Sequence, residues 1–157
     1  EAKVHLYQPE LDAVRARATL GERKRYREAH VAHGPRFTGY PVQGERWFGF
    51  DCVRALDGLP PEILLVPTVG HTRGHVAVAV DDGAGFLLHA GDAYFHRDEM
   101  DPVRPSCPLP LRLFQRAAAI DDVARVRNAE RLRLLARDRQ VRIFSAHDPV
   151  ELSRFRD

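Results

Sequence analysis

Thr68-Val69-Gly70-His71-Thr72-Arg73-Gly74-His75 joins two apolar runs, Ile63 to Pro67 before it and Val76 to Val80 after it. Runs of this length and β-branched content read as strands, and their continuous apolar character implies cover on both faces. The same arrangement recurs twice. Phe86 to Leu88 leads to Gly91 and Asp92, and Val141 to Ala146 leads to His147. Each time an apolar strand reaches a small residue and then a side chain able to bind metal. Strand ends in a sheet-based fold emerge along a common edge, so groups far apart in sequence can meet there on rigid supports. Gly70, Gly91 and Ala146 leave room for close approach. Imidazole and carboxylate together suit Zn²⁺, and a carboxylate has one oxygen for each of two neighbouring ions. Two histidines and one aspartate are half of such a dinuclear site.

Outward from this centre, Lys3 to Leu6 reads as a short strand, and Pro9, Glu10, Leu11, Val14 and Ala18 have helical spacing with Pro9 in the first turn. Gly21 to Glu45, rich in Arg, Gly, His and Pro, reads as surface loop with at most one helical turn. Trp47 to Leu56 reads as one or two strands, closed by the turn residues Asp57 to Pro61. Asp81, Asp82 and Gly83 predict a hairpin turn between the second and third apolar strands. Between Pro108 and Gln140 the period becomes helical, with Val123, Val126, Ala129, Leu132 and Leu135 on one stripe and Asp121 or Asp122 as N-cap. The class is α/β or α+β, with strands packed between helices. No fixed-period repeat and no low-complexity segment interrupts residues 1–157, which read as a single domain.

The composition narrows the function. Among 157 residues, 24 Lys plus Arg stand against 22 Asp plus Glu, a formal charge of +2. This balance disfavours a dedicated nucleic-acid binder. No apolar run approaches the roughly 18 residues of a membrane-spanning helix, so a membrane partner is not expected. Cys52 and Cys107 form no C-x-x-C pair, which suits neither a disulfide framework nor a zinc ribbon and points to a reducing, cytoplasmic setting. The chain starts at Glu1, so a signal peptide would be invisible here.

The three strand ends resemble the metallo-β-lactamase-fold hydrolases. Thr68 to His75 is similar to their G-H-T-x-G-H motif, His89-Ala90-Gly91-Asp92-Ala93 to their G-D strand end, and Ser145-Ala146-His147-Asp148 to their last ligand segment. The resemblance spans roughly residues 1 to 152. It implies a partial αβ/βα sandwich and a metal-dependent hydrolase of small ester, thioester, lactone or similar substrates, with a metal-bound water as nucleophile. It further implies that His71 ligates one metal, Asp92 bridges both and His147 ligates the second. Two zinc ions are expected in a complete site, with iron or manganese as substitutes. The family's H-x-H-x-D-H string is absent from the eight histidines here, since His30 and His33 form only H-x-x-H. The chain is therefore expected to begin downstream of that motif as the C-terminal part of an incomplete domain, inactive alone. The competing reading is a non-catalytic scaffold or interaction module that uses its Arg-rich helices to bind an acidic partner. Oligomeric state is not readable.

Plainer roles accompany the neighbouring residues. His75 reads as a hydrogen-bonded supporting residue, and His89 as packing or orientation. Asp148 is the better N-cap for a helix over Pro149, Glu151 and Leu152. Tyr94, two residues after Asp92, is a candidate oxyanion donor, with loop packing as its ordinary alternative. The arginines from Arg112 to Arg142 are interleaved with acids, as on a solvated helix face, and Cys107 reads as a loop thiol.

Overall fold

A computed structural model describes residues 2–155. Its centre is a four-stranded sheet in the order β5 (Ile63–Pro67), β6 (Val76–Asp81), β7 (Phe86–His89), β8 (Val141–Phe144). The first two pairings are antiparallel, and β7 and β8 run parallel with Leu88 opposite Ile143 and His89 opposite Phe144. That last pairing sets the site, because two parallel neighbours end on the same edge. α4 (Leu109–Ala118) and α5 (Asp122–Leu135) fill the connection between them, and α6 (Pro149–Ser153) follows β8.

Both sheet faces are covered around β5, as continuous apolar runs require. Leu64, Val66, Ala77, Ala79 and Leu88 join Leu132 and Leu135 of α5 in the main core, together with Trp47 and Phe50. Leu65 packs on the other face with Val53 and Leu56, beside Tyr40, Val42, Ile63, Val76 and Val78. Burying a side chain such as Leu88 or Leu132, each fully enclosed, contributes about 1.5–3 kcal/mol. Val53 also bridges Leu65 through reciprocal backbone bonds of 2.8 and 2.9 Å, which fixes that cover to the sheet.

The N-terminal part is more regular than expected. β1 (Lys3–Tyr7) runs into α1 (Gln8–Ala16), and the stretch read as irregular loop contains α2 (Leu20–Arg25), α3 (Glu28–Val31) and β2 (Arg36–Tyr40). β2 pairs in parallel with β1. α2 carries a capping box: Glu22 N–H donates to Thr19 Oγ1 at 3.1 Å, and Thr19 N–H donates to Glu22 Oε2 at 3.0 Å. The region Trp47 to Leu56 resolves into a small hairpin, β3 (Arg46–Trp47) and β4 (Phe50–Asp51), turned by Phe48 and Gly49 at positive φ.

The expected apolar stripe of α5 is also corrected. Val123 and Val126 are 81% and 50% exposed, while Arg125 and Asn128 are buried in line with Leu132 and Leu135. The helix turns these polar residues inward because each has a specific acceptor. Asn128 donates to the Val69 carbonyl at 2.8 Å, and Arg125 donates to Gln115 Oε1 at 3.0 Å and to Asp122 Oδ1 at 2.7 and 2.9 Å. Asp121 is the N-cap, accepting from Ala124 N–H at 2.9 Å. Arg131 covers the Phe50 ring with its guanidinium 3.9 Å from the centroid, and Arg142 pairs with Asp82. Arg125 is thus part of the buried packing, whereas the Arg142–Asp82 pair lies at the surface.

Candidate metal centre

Three loops converge beyond the strand ends. The loop after β5 is held from below by the start of α5: Ile120 and Asp121 donate backbone N–H groups to the His71 and Gly70 carbonyls at 3.2 and 2.9 Å. Gly70 has φ +136°, and a Cβ there would lie 2.3 Å from the Arg125 nitrogen, so only glycine permits this approach. Gly74 is equally crowded, since an added Cβ would meet the Glu10 nitrogen at 2.1 Å. Glu10 accepts from Gly74 N–H at 2.9 Å and from the Tyr26 hydroxyl at 2.7 Å, which ties α1 and α2 to the loop.

The carboxylate of Asp92 lies between two imidazoles. His71 Nε2 is 3.1 Å from Oδ2, and His147 Nε2 is 3.0 Å from Oδ1. Each histidine takes a different oxygen. Access is graded across the trio, with side-chain exposures of 11% for His71, 32% for Asp92 and 49% for His147, so the group opens to solvent on the His147 side. Phe95 lies against His147, ring centroids 4.2 Å apart, and 6.0 Å from His71. It forms an apolar wall that sequence reasoning missed.

A supporting arrangement fixes the Asp92 backbone. The Asp92 backbone N–H donates to His75 Nε2 at 2.9 Å, while His75 Nδ1 lies 3.0 Å from the Thr68 carbonyl. This pairing sets the His75 tautomer, with the proton on Nδ1. Burial lowers the His75 pKa, in keeping with a neutral ring. Gly91, at φ +56°, makes the contact possible: a Cβ there would be 2.7 Å from His75 Nε2. His75 is thus a supporting residue, as its place in the sequence suggests. His71 is pushed down to about 4, first by burial and then by the Arg25 charge, against an opposing pull from Asp92. A neutral imidazole has a lone pair to offer a metal. Its Nδ1 is buried without a hydrogen-bond partner.

Among the described residues, no three His, Cys, Asp or Glu side chains form a group that would hold a metal ion by themselves. The geometry is instead two pairs sharing one carboxylate. Two ligands of one tetrahedral ion bound at about 2.0–2.2 Å stand about 3.3–3.6 Å apart, so the observed 3.1 and 3.0 Å are direct imidazole–carboxylate contacts that would have to open by a few tenths of an ångström to share an ion. The donor types, two imidazoles on separate oxygens of one carboxylate, fit part of a bridged two-ion site.

Tyr94 is a correction. It is fully buried, and its hydroxyl donates to both Glu151 oxygens at 2.9 Å, so it has no surface to offer a substrate. Its pKa is raised, by burial first and by Glu151 next. Asp148 is buried and caps α6, accepting from Val150 N–H at 2.9 Å and from Arg97 N–H at 2.8 Å. His89 packs on Phe144, ring centroids 4.9 Å apart. The Cys107 thiol accepts from Gln115 at 3.4 Å and is pushed up to about 11 by burial and then by the Glu99 charge, which keeps it protonated at neutral pH.

No family model matches the chain. Two curated relatives, each named a probable metallo-hydrolase, come from Mycobacterium bovis and Mycobacterium tuberculosis. Each is 38% identical over 155 residues, covering 95% of this chain and 48% of its own length. The chain thus spans about half the length of the curated relatives it matches. Among solved structures, an N-acyl homoserine lactone hydrolase with N-hexanoyl-L-homoserine bound at its catalytic metal centre superposes with a TM-score of 0.60 at 16% identity. That match covers 98% of this chain and 50% of the other. A hydrolase described as belonging to the beta lactamase superfamily gives a TM-score of 0.54 at 18% identity, over 96% of this chain and 49% of the other. Among the described residues no helix is long and apolar enough to cross a membrane.

Proposed function

We propose that the chain is part of a metallo-β-lactamase-fold hydrolase and that it supplies His71, Asp92 and His147 to a dinuclear metal site acting on small esters, thioesters or lactones. One observation carries this reading: the two imidazoles contact different oxygens of one carboxylate, at 3.1 and 3.0 Å. A bridging carboxylate needs that disposition, and a purely structural ion pair does not. Zinc is the metal that this donor set suits best, and iron fits the same ligand types.

Within this reading each residue has a separate task. Asp92 holds the charge shared by both positions and sets their separation, its backbone pinned by His75. His71 is neutral and enclosed, with Nε2–H facing Asp92 and its lone pair on the unpartnered Nδ1, so holding an ion through Nε2 requires that proton to leave or move to Nδ1. His147 stands on the open side, where a substrate enters, and Phe95 excludes water from the ground beneath it. When bound, a divalent metal polarises the scissile carbonyl and lowers the pKa of its water. Catalytic zinc keeps about three protein ligands, so three donors across two ions are too few, and these residues alone hydrolyse poorly. A lactone is the first substrate to test because the superposed lactone hydrolase binds N-hexanoyl-L-homoserine at its metal centre.

The test assays full-length protein on an acyl-homoserine lactone, a p-nitrophenyl ester and an acyl thioester, with zinc and after chelation. Zinc-dependent hydrolysis of at least one, lost in Asp92→Ala, is expected. Hydrolysis that survives both chelation and Asp92→Ala, or none with zinc present, refutes the assignment.

A further inference from the structure

Two of the three converging segments follow the parallel strands β7 and β8, and the backbone ties them only as far as Gly91 and Ala146. Ala90 N–H donates to the Phe144 carbonyl at 2.8 Å, and Ala146 N–H to the Gly91 carbonyl at 3.1 Å. Asp92 and His147 lie one residue beyond the last of these bonds. From there the connection passes to side chains. Glu151, on α6, is 2% exposed. It accepts the Tyr94 hydroxyl on both oxygens at 2.9 Å and the Ser145 backbone N–H at 2.8 Å. Tyr94 lies two residues after Asp92, and Ser145 two residues before His147. One buried carboxylate therefore grips both segments just outside the pair whose spacing matters.

We propose that Glu151, acting through the Tyr94 hydroxyl and the Ser145 amide, is a positioning residue that sets the distance between the Asp92 carboxylate and the His147 imidazole. A role in stability alone explains the arrangement less well. Enclosing a carboxylate is expensive unless its hydrogen bonds are well formed, and an apolar side chain would fill the space at lower cost. What an apolar residue cannot do is hold two loops at a fixed separation through directed bonds. Asp148, next to His147, also ties the two segments, but it meets the chain after β7 only at Arg97, five residues past Asp92. Glu151 makes its link within two residues of Asp92 on one side and two of His147 on the other.

This inference rests on the proposed metal site, but its test is partly independent of metal. Histidine ring resonances are recorded by NMR in metal-free wild type, Glu151→Gln and Tyr94→Phe, and zinc affinity is then measured by titration. The expected result is a displaced His147 signal in both variants with His71 unmoved, and zinc affinity about 10–100-fold weaker, as for losses of groups that orient ligands. The double variant should be no weaker than Glu151→Gln, because both changes break one connection. If His147 moves but wild type binds no zinc, the metal reading fails and the positioning role stands. Unmoved His147 with affinity within twofold of wild type overturns the proposal, as does equal displacement of His71, His75 and His147, which would mark general loosening. Should Glu151→Gln not fold, Tyr94→Phe decides by the same criteria.

Discussion

Replacing Gly74 with alanine tests how the N-terminal helix holds the central loop. The added Cβ would lie 2.1 Å from the Glu10 nitrogen and 2.6 Å from its Cα, both backbone atoms that no rotamer change can move aside. Contact at ordinary van der Waals distance, about 3.5 Å, requires α1 to retreat by more than an ångström. Two bonds depend on its present place: Gly74 N–H to Glu10 at 2.9 Å and the Tyr26 hydroxyl to Glu10 at 2.7 Å. Hydrogen bonds to a charged acceptor contribute about 1.5–3 kcal/mol each, and overpacking costs about 1–3 kcal/mol. With partial relaxation, a loss of about 3–5 kcal/mol is expected. Urea unfolding of wild type and Gly74→Ala, compared at unchanged m-value, measures it. A loss under about 0.5 kcal/mol, the size of an ordinary surface change, would show that α1 does not press on this loop.

Acid should weaken the metal-free protein in a defined window. The His71 pKa lies at about 4 in the fold and near 6.5 when unfolded, so the unfolded state takes up the proton first. Stability is complete above about pH 6.5 and falls towards pH 4, by at most about 3 kcal/mol from this residue. His71→Asn should flatten that part of the stability–pH curve, and an unchanged slope contradicts the assignment. Asp148→Ala should cost about 2–3 kcal/mol in thermal or chemical unfolding, through the lost α6 cap and the Arg97 contact. Burial raises the Asp148 pKa, but hydrogen bonds from Arg97, Val150 and Glu151 and the Arg97 charge outweigh it and leave it lowered. The contribution of its charge should therefore be intact above about pH 3.9 and vanish below the folded value; equal losses from Asp148→Ala at pH 7 and pH 2 contradict this.

What the sequence reveals follows from how each element is stabilised. The strands ending near His71, Asp92 and His147 are legible because apolar runs, small residues and polar donors occur in order along the chain. Asp121 and Asp148 are legible as caps because capping is local. The segment from Gly21 to Glu45 is not, since α2 and α3 are short and their support is tertiary: Tyr26 on Glu10, Arg25 on the Ala118 carbonyl, Arg17 on Glu28. Helices of a turn or two have too few residues to show a period. α5 misleads for a different reason, because buried Arg125 and Asn128 replace apolar residues on its inner face. The direction of Tyr94 depends on Glu151, 57 residues away, and no local pattern encodes that contact.

Zinc titration of wild type beside His71→Ala, Asp92→Ala and His147→Ala addresses the shared carboxylate most directly. Since Asp92 touches both imidazoles while each histidine touches one oxygen, its loss should weaken binding more than either histidine replacement. Zinc affinity that Asp92→Ala leaves intact would contradict the account.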